Sequence, residues 1–425
     1  MRFAPLPKNP ADILALESVP LEQHLTAKTT YEIIKNTTEK YPDKAAIHFL
    51  QQGNAEENPI TVSYRDLLTR VNQAANLFSH QFKMLSMTDP NKKVISYLLP
   101  NLPQAHFALW GAQAVGIVNP LSPRLSPEQI ALLLRKANSQ ILVTVGEFVP
   151  GPMWQNVLAA RELYPELKTI FVIGGKSDPA NGIYDFDGEL NQQSPEFTQP
   201  STSPDAVCAY FHTSATTTPD PKLVRLTQRG QIYSAWAIGT GLGYQENDIV
   251  GVGLPFFHVG APMVGGLVPF MCGATTVMMS PMGWMGPGVI ENFWKVVRKH
   301  KITVTAALAS MYRDLLLVPG MENSGLRLAI SGTPMPRDEF NAYQKANITV
   351  ADIYGSSETV MATMNFPGWQ RSGSMGWRFP YEQMKVMRAD GTECAADEMG
   401  ELWIAGPNVT QGYQDHSQSA FTHDG

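Results

Sequence analysis

The chain has 425 residues, which corresponds to roughly two to four domains or to one large composite body. Hydrophobic residues make up 44% and charged residues 16%, so the chain can bury a sizeable core and is not mostly disordered. The formal net charge is −6 and there is no long basic run, which argues against a general nucleic-acid-binding protein. The N-terminal residues 1–17 lack the apolar stretch of a secretory signal.

The three cysteines point to a reducing environment. Cys208, Cys272 and Cys394 are an odd number at wide spacing, and they match neither a disulfide framework nor a zinc-binding pattern. We therefore expect a cytoplasmic location.

The first third of the chain alternates helix and strand patterns. Hydrophobic periodicity predicts helices over residues 30–41, 63–82 and 126–137. The last of these has Ser126 as a plausible cap and Glu128 in its first turn. Short apolar runs predict strands over residues 45–50, 94–99, 140–145 and 169–173. This alternation indicates mostly parallel sheets that are covered by helices on both faces.

The middle of the chain contains two unusual stretches. Residues 174–204 are polar and rich in Pro, Ser and Asn, which predicts a long surface excursion or a boundary between lobes. Residues 249–290 contain no Asp, Glu, Lys or Arg, but five prolines interrupt them. Because a proline inside a helix removes a hydrogen bond, we expect buried strands and short helices here and not a membrane span.

The patterns divide the chain into three predicted parts. Residues 1–200 form a first α/β lobe and residues 201–365 a second one, because α/β alternation resumes after the polar stretch. Residues 366–425 form a small β-rich module, in which residues 384–387 and 401–404 are short strands.

A cluster of hydroxyl groups occupies the segment from Thr213 to Lys222, with the sequence TSATTTPDPK. Hydroxyls and loop N–H groups donate to phosphate oxygens, and a lysine adds a compact positive charge. The candidate phosphate-binding residues are Thr213, Ser214, Thr216, Thr217 and Lys222. Such clusters are more often solvated loops, and the GxxxxGK(S/T) pattern of a Walker A loop is absent.

A second candidate segment runs from Asp352 to Glu358, with the sequence DIYGSSE. A strand end is followed by a glycine, two hydroxyls and a carboxylate, and α/β sheets bind ligands in the loops after their strands. A carboxylate beside phosphates suits Mg²⁺. The alternative is a plain helix N-terminus, where the helix dipole favours a carboxylate such as that of Glu358.

With three further segments, the chain resembles the adenylate-forming superfamily of acyl-CoA synthetases, firefly-type luciferases and peptide-synthetase adenylation domains. The family's phosphate loop is matched in part by residues 213–222, and its Tyr-Gly-x-Ser/Thr-Glu motif by residues 354–358. The Pro-x-Phe-His segment is similar to residues 255–261, the Gly-Ser-x-Gly turn to residues 373–376, and the Gly-Glu-Leu…Gly-Tyr motif to residues 400–413. The resemblance covers almost the whole chain in the family's order.

The resemblance implies an α/β fold with two related lobes of mostly parallel sheets, flanked by helices, and a small β-barrel. It implies that the hydroxyls of residues 213–217 and Lys222 hold the ATP phosphates, and that Glu358 binds Mg²⁺. Ser357 would touch the α-phosphate or the substrate carboxylate. The adenine would stack on Tyr354.

Other residues take their implied roles from the same resemblance. The carboxylate of Asp352 would accept a hydrogen bond from the adenine amino group, and Gly332 and Thr333 would form the other adenine wall. His258 would stand between the acyl pocket and the phosphates, although a satisfied core histidine is the plainer interpretation. Val259 and Gly260 would border the acid.

The implied function is that of an ATP-dependent carboxylic acid:CoA ligase, which forms an acyl-adenylate and then a thioester, as in fatty acid metabolism. Its cofactors would be ATP, Mg²⁺ and coenzyme A, and its catalytic residues Lys222, His258, Ser357 and Glu358. Two alternatives stay open: a ligase that loads a carrier-protein thiol, and a non-catalytic paralogue that binds nucleotide or acid. We expect no nucleic-acid partner and no integral membrane segment.

The sequence departs from the family pattern in two places. Ala215 and Thr218 replace glycines of the phosphate loop, which costs roughly 1–2 kcal/mol if either position needs positive φ. Pro219 and Asp220 lengthen that loop, and Asp220 adds a negative charge. The chain ends at Gly425, before the family's ribose-binding aspartate, hinge and mobile C-terminal domain with its lysine. We therefore expect the large N-terminal body alone, incomplete for the full reaction.

Overall fold

Helices and strands alternate along the computed structural model, which describes residues 3–198, 200, 202–213, 220–415 and 421. The helices are α1 (Pro10–Glu17), α2 (Leu21–His24), α3 (Thr30–Lys40), α4 (Tyr64–Met84), α5 (Pro103–Val115), α6 (Pro127–Ala137), α7 (Met153–Leu163), α8 (Phe186–Asn191), α9 (Gln228–Leu242), α10 (Gly260–Pro262), α11 (Val268–Cys272), α12 (Val289–His300), α13 (Ala309–Leu316) and α14 (Arg337–Lys345). The strands are β1 (Ala45–Phe49), β2 (Ile60–Ser63), β3 (Val94–Leu98), β4 (Ile117–Pro120), β5 (Ile141–Val145), β6 (Thr169–Ile173), β7 (Ile183–Asp185), β8 (Val207–His212), β9 (Leu223–Thr227), β10 (Ile249–Val252), β11 (Thr275–Met278), β12 (Val304–Ala307), β13 (Leu328–Ser331), β14 (Thr349–Tyr354), β15 (Thr363–Met364), β16 (Trp377–Arg378), β17 (Gln383–Met387) and β18 (Glu401–Ala405).

Two mainly parallel sheets support the molecule. The first has seven strands in the order β7-β6-β5-β3-β4-β8-β9, and its β8–β9 pair is antiparallel. The second has nine strands in the order β16-β15-β14-β13-β12-β10-β11-β1-β2, with antiparallel pairs at both ends. Helices flank these sheets, so the predicted α/β class is confirmed.

Each sheet takes strands from both sides of residue 200. β1 pairs with β11 of the nine-stranded sheet, and β8 pairs with β4 of the seven-stranded sheet. Alternation along the chain predicts strands but does not say which strands become neighbours. The division into residues 1–200, 201–365 and 366–425 stays a prediction.

The helices and strands that the sequence predicts in the first third of the chain are all present, whereas α1, α2, β2, α5 and β4 were not predicted. α6, for example, begins at a capping box between Ser126 and Gln129, and it ends at Asn138 in the left-handed conformation with φ 51°. Residues 174–204 differ from the predicted excursion, because β7 extends the sheet there and α8 buries Phe186 and Leu190. With 3 and 6 residues, these two elements are too short to show a periodic pattern.

The charge-free stretch of residues 249–290 lies largely inside the molecule. It contains β10 and β11, which are neighbours in the nine-stranded sheet, and the short helices α10 and α11 between them. This arrangement confirms the buried strands and short helices that the prolines predicted. In the part of the chain that the structure describes, no helix combines the length and apolar character needed to cross a bilayer.

The small β-rich module contains the antiparallel hairpin of β17 and β18, in which Met384 lies opposite Ile404 and Met387 opposite Glu401. Within the described residues this hairpin does not close into the predicted β-barrel. The reason is that the preceding strands, β15 and β16, pair with β14 and extend the nine-stranded sheet.

Side chains of the first sheet hold a loop of the second. The Tyr97 hydroxyl donates to the carbonyl oxygen of Phe256 at 2.6 Å. Asn101 Nδ2 donates to the carbonyl oxygen of Leu254 at 2.9 Å, and its Oδ1 accepts from the Phe256 N–H at 3.2 Å. The loop after β10, which leads to His258, is therefore fixed between the two sheets.

Candidate nucleotide and acid site

The predicted site residues lie in loops that follow strands of both sheets. Lys222 ends the connection after β8, and His258 follows β10. Gly332 follows β13, and Glu358 follows β14. Because the carboxyl ends of parallel strands are the usual ligand-binding edge of an α/β sheet, this placement suits a common site.

The predicted phosphate loop connects the two strands of the β8–β9 hairpin. The Thr213 N–H donates to the carbonyl oxygen of Lys222 at 2.9 Å, and the Lys222 N–H donates to Thr213 Oγ1 at 3.1 Å. These bonds close the loop at its base. Ser214, Ala215, Thr216, Thr217 and Thr218 lie outside the described residues, so their phosphate contacts and backbone strain stay predictions.

The extra residue Asp220 has a cationic partner. Its carboxylate lies 2.5 Å from Lys136 Nζ of α6, and the same ammonium donates to the carbonyl oxygen of Pro221 at 3.0 Å. The negative charge that the sequence places near the triphosphate is therefore compensated by a lysine from another element. Sequence reasoning missed Lys136, because no motif contains it.

Glu358 and Lys222 contact the same side chain, that of Tyr413. The Tyr413 hydroxyl donates to Glu358 Oε1 at 2.8 Å, and Lys222 Nζ lies 4.5 Å from the centre of the Tyr413 ring. Tyr413 is 4% exposed. The sequence shows Tyr413 as the end of the Gly-Tyr motif but gives no sign of these contacts.

The turn after β14 is built on hydroxyl groups and is not a helix N-terminus. The Glu358 N–H donates to Ser356 Oγ at 3.2 Å, and residues 355–359 are non-helical. Gly355 is required by space, since a Cβ there would lie 2.3 Å from the carbonyl oxygen of Val360. Ser357 is half-buried in this turn, and the Tyr354 side chain is exposed, as a stacking surface must be.

Asp352 is buried beneath the predicted adenine site. Its Oδ1 accepts from the Met335 N–H at 3.1 Å, whereas its Oδ2 has no hydrogen-bond partner within the described residues. Burial raises the Asp352 pKa to about 6, and the hydrogen bond from the Met335 N–H offsets part of the rise. Asp352 therefore fastens the segment that follows β13 and keeps one acceptor unsatisfied.

The segment after β13 presents its predicted adenine wall to solvent. Gly332 and Thr333 are both exposed. The Gly332 N–H donates to the carbonyl oxygen of Ala307 at 3.1 Å, and Thr333 Oγ1 accepts from the Ala309 N–H at 2.9 Å. Gly332 is thus fixed to the end of β12 and Thr333 to the start of α13.

His258 lies in a turn at the surface of the site. The Gly260 N–H donates to His258 Nδ1 at 3.4 Å, so Nε2 carries the proton of the neutral ring. The ring reaches solvent but is surrounded by protein, and this burial together with nearby His212 lowers its pKa. His258 is consequently neutral at pH 7. The neighbouring Val259 is 2% exposed and belongs to the hydrophobic core.

The predicted metal site would take a single carboxylate from the protein, that of Glu358. Glu358 offers Oε2, which makes no hydrogen bond to the described residues, while Tyr413 holds Oε1. Among the residues that the structure describes, no group of three or more His, Cys, Asp or Glu side chains could hold a metal. This donor set fits Mg²⁺, which is commonly bound by one or two carboxylates together with substrate oxygens and water.

The chain belongs to the family of AMP-binding enzymes, which it matches over residues 34–414. It is 29% identical over 431 residues to the marinolic acid–CoA ligase of Pseudoalteromonas sp. (strain SANK 73390). That match covers 96% of this chain and 64% of the relative, so the chain spans somewhat less than two thirds of that protein. The resemblance to the adenylate-forming superfamily is thereby confirmed.

Two further matches agree with this membership. The crotonobetaine/carnitine–CoA ligase of Salmonella paratyphi B is 26% identical over 381 residues, which cover 86% of this chain and 68% of that protein. The crystal structure of the anthranilate CoA ligase AuaEII in complex with anthranoyl-AMP superposes with a TM-score of 0.79 at 20% identity. The superposition covers 95% of this chain and 72% of that chain, and it supports the α/β fold described above.

Proposed function

We propose that this chain is the adenylating body of a carboxylic acid:CoA ligase, which uses ATP and Mg²⁺ to form an acyl-adenylate and then a coenzyme A thioester. The observation that carries the proposal is the convergence of Lys222 and Glu358 on Tyr413. These two side chains come from loops of different sheets, and Glu358 lies four residues after the exposed Tyr354. A cation, a carboxylate and an aromatic surface are what a metal-bound nucleotide requires.

The residues of the site act mainly by positioning charge. A substrate carboxylate has an unperturbed pKa of about 4, so it is already ionised at neutral pH and needs no general base to attack the α-phosphorus. Pyrophosphate would leave in that step, and AMP would leave when the thiol attacks the acyl-adenylate. Lys222 would neutralise phosphate oxygens, and Ser357 would donate to the α-phosphate or to the attacking carboxylate. The neutral His258 would donate from Nε2 to an oxygen between the acid and the phosphates.

Glu358 would hold the magnesium ion. Mg²⁺ bound there would offset the charge of the phosphate oxygens while pyrophosphate leaves, as it does in related phosphate chemistry. Tyr354 would stack on the adenine, while Asp352 and the Gly332–Thr333 segment would close around the ring.

The test compares the full chain with Glu358→Gln. We expect pyrophosphate release with ATP, Mg²⁺ and a panel of fatty and aromatic acids to fall by about 10²–10³ in the variant, because a charge-stabilising group is lost at constant volume. The control is Glu322→Gln, an exposed glutamate outside the predicted motifs. Wild-type adenylate formation by Glu358→Gln would refute the assignment.

The acceptor thiol is tested in the same assay. Thioester formation with coenzyme A supports the proposal, whereas transfer only to a carrier-protein thiol would favour a carrier-loading ligase. Binding of ATP without pyrophosphate release, for every acid and with either thiol, would favour a non-catalytic paralogue if a longer form with the family's C-terminal domain is equally inactive.

A further inference from the structure

Tyr413 occupies a position between the two charged groups of the site. Its hydroxyl donates to Glu358 Oε1 at 2.8 Å, and its ring lies 4.5 Å below the ammonium of Lys222. The ring also packs edge-on against Phe421 with 5.4 Å between centroids. One buried side chain thus touches both the proposed metal ligand and the proposed phosphate-binding lysine.

The backbone around Tyr413 connects the same two loops. Tyr413 forms an antiparallel bridge with Val224, and the Gln414 N–H donates to the carbonyl oxygen of Leu223 at 2.8 Å. On the other side, the Thr410 N–H donates to the carbonyl oxygen of Glu358 at 2.8 Å. Residues 410–414 therefore lie between the end of the phosphate hairpin and the turn that carries the carboxylate.

The hydroxyl of Tyr413 suits the carboxylate of Glu358, and its ring suits the ammonium of Lys222. Burial and the adjacent Glu358 raise the pKa of the Tyr413 hydroxyl, so this group stays protonated and acts as a donor to the carboxylate. The donor fixes one carboxylate oxygen and leaves the other available to a metal ion. The face of the ring attracts the Lys222 ammonium, and this attraction grows where water is excluded.

We propose that Tyr413 is a positioning residue that holds Glu358 in its metal-binding orientation and fixes Lys222 beside it. This inference rests on the proposed function, since it assumes that Glu358 binds Mg²⁺ on a nucleotide. The hydroxyl serves the metal and the ring serves the lysine, so substitutions that separate the two parts should have different effects.

The experiment measures binding of a non-hydrolysable ATP analogue by calorimetry at graded Mg²⁺ concentrations, using the full chain. Tyr413→Phe keeps the ring and loses the hydroxyl. We expect it to need roughly 10- to 100-fold more Mg²⁺ for the same analogue affinity, as is typical when the partner of a metal ligand is removed. Its affinity for the metal-free analogue should equal that of the wild type. Tyr413→Leu should lower both affinities.

Tyr31→Phe is the matched control. Tyr31 is also 4% exposed, and its hydroxyl donates to Asn72 Oδ1 at 2.9 Å, away from the site residues. This variant loses a comparable hydrogen bond, so it should show the wild-type Mg²⁺ dependence. A loss of metal-free binding in Tyr413→Phe would indicate a merely structural role and would overturn the inference.

The results distinguish a failure of the positioning role of Tyr413 from a failure of the proposed ligase function. If the wild type binds the analogue with Mg²⁺ and Tyr413→Phe has the same Mg²⁺ dependence, the positioning role is wrong and the proposed function stands. If the wild type binds no analogue with or without Mg²⁺, the proposed function fails and the inference falls with it. In the Glu358→Gln background, Tyr413→Phe should have no further effect on Mg²⁺ dependence.

Discussion

At the scale of single residues, Asp352 changes charge within the ordinary pH range, because burial raises its pKa to about 6. Above that pH the side chain is a carboxylate that can accept a hydrogen bond, and below it the side chain becomes a neutral acid. We therefore expect the affinity for adenosine to fall as the pH is lowered from about 8 to about 5. Adenosine is the suitable probe for calorimetry, since it has no phosphate that titrates in this range.

Two comparisons isolate Asp352 as the cause. Asp352→Asn cannot ionise, so its affinity for adenosine should be independent of pH over the same range. Purine riboside lacks the exocyclic amino group and should bind the wild type with little pH dependence. A parallel fall in the wild type and in Asp352→Asn would show that another group is responsible.

The sequence bears unequally on the residues of the candidate site. Motifs predict roles for Tyr354 and Glu358, because both lie in one run of fixed spacing, and these roles stay predictions. The same reasoning gave Tyr413 no role, since its contacts with Glu358 and Lys222 join distant parts of the chain. Only the packing of residues 410–414 between two loops brings these groups together.

At the scale of elements, α6 contacts the predicted phosphate loop between β8 and β9 through the Lys136–Asp220 ion pair. Lys136→Met leaves the Asp220 carboxylate without that ammonium, near the loop that we expect to bind phosphates. Because the pair is partly exposed, we expect about a two- to fivefold loss of affinity for an ATP analogue at low salt, measured by calorimetry. The loss should shrink at high salt.

A second variant of this ion pair, Asp220→Asn, removes the negative charge. Asp220→Asn alone should change the affinity little, because Lys136 already compensates the carboxylate, and in the Lys136→Met background it should restore binding. If Lys136→Met binds the analogue as the wild type does, the ion pair has no role in the nucleotide site.

Long helices with a clear hydrophobic period could be predicted from the sequence, whereas the pairing of strands in the sheets could not. α4 and α6 show a hydrophobic face over several turns and begin at capping boxes. The pairing of β1 with β11 depends on contacts between distant segments, which no local pattern encodes. β15 and β16 have 2 residues each, so their place in the large sheet is also invisible in the sequence.

At the scale of the whole molecule, the N-terminal helices and the β-rich module meet around α9. Arg378 of β16 forms an ion pair with Glu17 of α1, and the Tyr381 hydroxyl donates to the carbonyl oxygen of Val19 at 2.6 Å. Trp236 of α9 stacks on His24 with 4.7 Å between centroids. The N-terminal helices are thus joined to α9 and to the start of the β-rich module by polar and aromatic contacts.

Glu382 lies buried at this junction. It is 1% exposed, Tyr233 of α9 donates to its Oε1 at 3.4 Å, and its Oε2 has no hydrogen-bond partner within the described residues. Burial raises the Glu382 pKa to about 9, while hydrogen bonding from Phe379 and Tyr233 and the charge of Arg378 lower it only in part. The folded protein therefore keeps this proton at neutral pH, whereas the unfolded chain has released it.

This difference predicts how the stability of the molecule depends on pH. Between about pH 4.5 and pH 9 the folded state binds one more proton at Glu382 than the unfolded state does, so the group's contribution to stability falls as the pH rises. The slope is at most about 1.4 kcal/mol per pH unit. Glu382→Gln removes the proton uptake, so its stability relative to the wild type should increase from about pH 5.5 to about pH 8 in urea unfolding experiments. The exposed Glu322→Gln should follow the wild type at both pH values. Equal stability differences between Glu382→Gln and the wild type at the two pH values would mean that Glu382 is not a protonated acid in the folded molecule.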